Sequence, residues 1–155
     1  MYRVRLWSVS HSAALEKSYA MLERALIALH PLWNAIGYQR VEKPVAVIEK
    51  TIKSFLFDCQ MCGQCALSST GMSCPMNCPK SLRNGPCGGV RLDGNCEVKP
   101  EMRCVWVEAW RGSQQMEKSG NITQVQLPVN NLFKGSSSWL RVVRDDVESK
   151  NKVAV

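Results

Sequence analysis

The chain of 155 residues is short of histidine: His11 and His30 are the only two, and none follows. A general base is therefore missing from most of the sequence, which argues against a catalytic cysteine. Long apolar runs are missing as well. No segment approaches the roughly 18 apolar residues of a membrane span, and the opening MYRVRLWSVSHSAALEK lacks the continuous apolar block of a secretory signal. A cytoplasmic protein is expected. Acidic residues are outnumbered, 13 Asp and Glu against 20 Lys and Arg, for a formal charge of +7. The basic residues are scattered from Arg3 to Arg144 without forming a stripe, so the excess is read as a solvated surface or a docking face for an acidic protein. Nucleic-acid binding is not expected.

Cysteine is abundant. Six of the eight fall between Cys59 and Gly89, and Cys96 and Cys104 follow. In the cytoplasm thiols stay reduced, which favours metal binding over a disulfide framework. Cys59, Cys62 and Cys65 form C-x-x-C-x-x-C, a spacing that turns three sulfurs toward one point. It opens the bacterial ferredoxin run, whose C-x-x-x-C-P continuation is present but displaced, as Cys74-Pro75 and Cys78-Pro79. Eight thiols without histidine suggest two all-cysteine sites, either two [4Fe-4S] clusters or two zinc ions. The gaps after Cys65 are mostly eight residues, and ligands so scattered suit the larger cluster better than paired zinc knuckles. Gly63, Gly85, Gly88 and Gly89 would let backbone N–H groups approach inorganic sulfide. Lys80 and Arg83, beside Cys78 and Cys87, either offset thiolate charge or are ordinary solvated residues. A metal there could also serve only to staple a domain with a thin core.

Around this centre the sequence predicts a small, mainly α fold in three parts. Residues 1–57 form a helical segment, in which Leu15, Tyr19, Leu22, Leu26 and Leu29 recur on one face. His30-Pro31 ends that helix and opens a short one that Gly37 closes. After Pro44 the stripe Val45, Ile48, Ile52 and Phe55 resumes; it is read as core, with a partner-facing surface as the alternative. Residues 58–111 form an irregular, metal-cluster-nucleated centre rich in turn residues, and CVWVEAW at its end suits strand or helix. Residues 112–155 are an extended C-terminal tail with isolated apolar anchors, which either wraps back or docks on a partner.

The stretches DCQMCGQCALSSTGMSC, CPMNCPKSLRNGPCGG and GNCEVKPEMRCVWVEAW resemble the methylenetetrahydrofolate reductase C-terminal domain family. The resemblance is specific over about residues 58–110 and extends to KGSSSWLRVV in the tail. It implies an accessory iron-sulfur electron-transfer subunit, with flavin held by a barrel reductase partner and all eight cysteines as ligands. Cys59, Cys62, Cys65, Cys74, Cys78, Cys87, Cys96 and Cys104 would then carry two [4Fe-4S] clusters. The chain's positive charge suits an acidic electron donor such as ferredoxin. The alternative is a zinc-stapled structural adaptor, holding two Zn2+ and moving no electrons.

Overall fold

The computed structural model describes residues 2–85 and 87–153. Six α-helices run in the order α1 (Tyr2–Ser10), α2 (Ser12–Ala28), α3 (His30–Ile36), α4 (Tyr38–Phe57), α5 (Val105–Ser113) and α6 (Ser138–Val153). Short 3-10 turns occupy Pro75–Asn77, Ser119–Thr123 and Asn131–Phe133. Among the described residues there is no strand, only isolated antiparallel bridges pairing Val90 with Cys96 and Asn95 with Arg103. The mainly helical expectation holds, and CVWVEAW is helix.

The break at His30-Pro31 falls where the sequence places it. Leu29 caps α2, Pro31 stands in the first turn of α3, and Gly37 ends α3 at φ 92°. The Trp33 indole donates to the carbonyl of Leu26 at 3.0 Å and folds α3 back on α2. α4 starts earlier than expected and carries Pro44 inside it, which removes one helical hydrogen bond. α1 falls in the segment expected to be helical, although no apolar stripe marks it. Its buried residues are Ser8 and Val9, and Ser8 donates to the carbonyl of Leu56 at 2.8 Å. Just beyond, Ser12 donates to Gly112 at 2.8 Å.

Two corrections concern α4 and the tail. The stripe expected as core is exposed, with Ile48 at 56%, Ile52 at 44% and Phe55 at 60%. α4 buries instead a row that looks polar in the sequence, Glu49 and Lys53, each 1% exposed, followed by Phe57. What they meet is the end of the chain. The tail is not extended throughout: it runs irregularly to Ser137, then forms α6, whose Leu140 and Val143 are wholly buried.

α6 is anchored by charge. The Glu49 carboxylate accepts from the backbone N–H groups of Ser138 and Trp139, both at 3.3 Å, and from the Ser137 hydroxyl at 2.6 Å. A carboxylate from one helix thus satisfies the orphan donors and the positive dipole end of another. Lys53 completes the network, donating to Glu49 at 2.6 Å and to Ser138 Oγ at 2.7 Å. Two turns earlier, Glu42 accepts from Ser137 N at 2.7 Å and from Arg144 at 2.6 Å. The apolar cores beside this network are small. Phe57, Leu67, Met72, Cys74 and Met116 form one, while Cys104, Trp106 and Ala109 form another.

Burial opposes the charge of Glu49, but the Lys53 ammonium and the hydroxyls of Ser137 and Ser138 outweigh it and hold the carboxyl below its ordinary value of 4.5. That contribution is present above pH 4.5 and is lost as pH falls through the lower folded-state value. Lys53→Met should cost about 3–5 kcal/mol in chemical unfolding, because it leaves a buried carboxylate unpaired. The stability deficit of this variant should shrink as pH falls, because protonating Glu49 removes the unpaired charge; chemical unfolding repeated at neutral and acid pH checks it.

Candidate metal centre

The thiol-rich loop begins with a run of left-handed backbone. Asp58, Met61 and Gly63 have φ of 54°, 48° and 71°, and these reversals coil the chain so that the side chains of Cys59, Cys62 and Cys65 turn to one side. Met61 N donates to Cys59 Sγ at 3.4 Å. The end of the chain holds the coil shut from outside: Gly135 N donates to Met61 O at 2.8 Å and Arg141 Nε to Gly63 O at 2.9 Å. Gly63 is required for this crossing, since a Cβ there would stand 2.2 Å from the carbonyl oxygen of Phe133.

A fourth thiol is brought back by residues 66–74. The Thr70 hydroxyl reaches the carbonyls of Ala66 and Ser73, both at 2.8 Å. Ser73 Oγ donates to Val105 O at 3.0 Å, tying the loop to α5. Gly71 and Gly112 meet backbone to backbone, and a Cβ on Gly112 would lie 2.1 Å from Gly71 O. Cys74 then stands at the head of the Pro75–Asn77 turn. The result is a single pocket lined by Cys59, Cys62, Cys65 and Cys74, with Glu49, Lys53 and Arg83 in its wall.

The electrostatics of this pocket are those of a thiol cluster. Burial pushes the Cys74 thiol up to about 12, and the neighbouring Cys59, Cys65 and Cys62 add to the shift. Cys59 is also raised, chiefly by burial. Lys53 loses solvation, yet Cys65 and Glu49 keep it charged above its ordinary range. Arg83 approaches from the other side: its Nη1 lies 4.0 Å from Cys62 Sγ, while Nη2 and Nε bond to the carbonyls of Gln64 and Leu127, each at 2.7 Å. Two more donors adjoin Cys65, because Tyr19 and Trp139 line a neighbouring pocket with it. Tyr19 Oη and Trp139 Nε1 are buried with no hydrogen-bond partner among the described residues.

The remaining cysteines are less tightly gathered. Cys78 closes the Pro75–Asn77 turn. The bridges from Val90 to Cys96 and from Asn95 to Arg103 draw Cys96 and Cys104 into one small knot, with Cys104 N donating to Gly94 O at 3.0 Å. Cys96 and Cys104 are buried, whereas Cys78 and Cys87 are half-buried. Lys80 pairs with Glu97 and senses the Cys87 and Cys96 thiols. Thus Lys80 belongs to this second group and Arg83 to the first. Gly85 is covered by the Trp106 ring, 2.4 Å from where its Cβ would be.

Among the described residues, no three Cys, His, Asp or Glu side chains are arranged to grip a single metal ion. The donor set of the first pocket nevertheless fits a larger thiolate-ligated group. Four thiols face one space, a buried ammonium and a guanidinium stand beside them, and two orphaned donors adjoin Cys65 in search of an acceptor. Sequence reasoning missed Lys53, Tyr19 and Trp139 as parts of this site. The only signals were a lysine following Ile52 and an aromatic after three serines.

These features define a small helical protein built around a dense run of cysteines, four of which share one pocket. Among the described residues, no helix is long and apolar enough to cross a membrane. A family model described as "Methylene-tetrahydrofolate reductase C terminal" matches residues 38–132, more than half of the chain and all eight cysteines. The chain belongs to that family. No curated protein and no solved structure matches it.

Were these thiols to ligate a metal, Cys74 and Cys59 would first have to lose protons, and metal retention against a chelator should then rise with pH. Cys65→Ser and Cys87→Ser should each lose metal, and the double variant should lose more than either alone. Metal analysis of the four proteins checks this directly.

Proposed function

We propose that the chain is the accessory electron-transfer subunit of a methylenetetrahydrofolate reductase, its eight cysteines holding two [4Fe-4S] clusters. One observation carries the reading: in a chain of this family, Cys59, Cys62, Cys65 and Cys74 line a common pocket walled by Lys53 and Arg83. These four would hold one cluster, and Cys78, Cys87, Cys96 and Cys104 the other. When bound, such clusters take up and release single electrons.

The chain's own residues create the setting. Lys53 and Arg83 supply positive charge against thiolate ligands, and the amide of Met61 donates to a ligand sulfur. Tyr19 and Trp139 line a pocket beside the exposed Cys65 and carry a buried O–H and N–H with no partner among the described residues. No barrel is formed by the described residues. Reduction of the folate and binding of the flavin are therefore assigned to a barrel partner. The exposed stripe Ile48, Ile52 and Phe55 is the surface proposed to meet that partner, since apolar side chains so exposed usually mark an interface.

Protein purified without oxygen should contain about eight iron and eight acid-labile sulfide per chain and show visible absorbance bleached by dithionite. Stoichiometric zinc without sulfide would replace the relay by a structural adaptor. Ile52→Asp combined with Phe55→Asp should keep the metal content but lose co-purification with the barrel subunit. Undiminished co-purification would remove the stripe from the interface.

A further inference from the structure

α4 has only two carboxylates, Glu42 and Glu49, and both are taken up by the start of α6 and its flank. The lysines on another face of the helix are left uncompensated. Lys43 and Lys50, seven residues and two turns apart, stand on one side of an open hollow with Ala46 and Val47 between them. Lys134 is brought to the same hollow by the irregular strap before α6, pinned there by the bond from Gly135 N to Met61 O. None of these three lysines pairs with a carboxylate among the described residues. Glutamine is the only other polar side chain at the hollow apart from Cys59, and no acid lines it.

The floor matters as much as the rim. Cys59 and Met61 line this hollow and also line the four-thiol pocket behind it. Cys59 is therefore the thiol through which the pocket meets the outer surface at this point. An apolar floor of Ala46, Val47, Met61 and Gly135 inside a basic rim has the layout of a protein-docking site: apolar centre, charged edge. Three like charges with no internal counterion favour an acidic surface, and they speed its approach through long-range attraction.

We infer that this hollow is the docking face for a small acidic electron-carrier protein, which delivers electrons at the Cys59 edge. The inference rests on the relay reading above. In each encounter one electron leaves the carrier's reduced centre and enters the centre held by the four thiols. The carrier is oxidised by one electron, and no bond is made or broken.

The test uses the full chain purified without oxygen and an acidic bacterial ferredoxin as probe, with affinity measured by calorimetry at several salt concentrations. Lys43→Glu, Lys50→Glu and Lys134→Glu together change only exposed side chains, so the fold and the metal content should be retained. That variant should bind about tenfold more weakly than the parent, with a flatter salt dependence. A control with the same net charge, Arg24→Glu with Lys99→Glu and Lys152→Glu, should stay within about twofold of the parent. The proposal is overturned if the parent does not bind, if the hollow variant binds like the parent, or if both variants weaken equally. Iron and sulfide are assayed on the same samples. Their absence would count against the relay itself, whatever the binding shows.

Discussion

The ion pair between Glu49 and Lys53 is the constraint on which the remaining structure depends. Taking both charges out of water is expensive, and a buried pair is tolerated only where further hydrogen bonds complete it. Here the completing groups come from the far end of the chain: the hydroxyls of Ser137 and Ser138 and the first amides of α6. The pair therefore fixes where α6 begins. It also sets a positive charge against Cys65 and Cys59, because the Lys53 ammonium that bonds Glu49 shares the pocket with both thiols. Folding and the electrostatics of the thiol site are thus one arrangement.

α4 shows how a single helix can serve several masters. One face carries Glu42, Glu49 and Lys53 into the network with α6, a second carries Ile48, Ile52 and Phe55 to the surface, and a third carries Lys43 and Lys50 to the hollow at Cys59. Periodic reading finds the most apolar face and takes it for the inner one. In a free-standing domain that inference is sound. It fails here because the inner face is polar and fully satisfied, which leaves the apolar face outward.

Much of the outline was legible from the residues. The helical character, the break at His30-Pro31, the end of α3 at Gly37 and the absence of regular strands through the cysteine-rich centre all follow from local chemistry. The C-x-x-C-x-x-C spacing also announced that three thiols would turn together. α1 left no apolar stripe to read, because its buried residues are only Val9 and Ser8, and Ser8 makes its contact through a hydrogen bond to the distant carbonyl of Leu56. α6 was read as part of an extended tail because its two fully buried anchors, Leu140 and Val143, sit among polar residues whose partners lie on α4. Long-range polar pairing of this kind leaves no period in the sequence.

The strap at residues 130–137 gives the molecule an order of events. Phe133 lies over Gly63, Gly135 bonds Met61, and Arg141 bonds Gly63, so the coil bearing the first three cysteines is closed by a segment that leaves the ribosome well after it. During synthesis the thiols emerge first and stand uncovered until that segment arrives. Whatever the coil is to hold has its widest doorway on the nascent chain, before the lid is made.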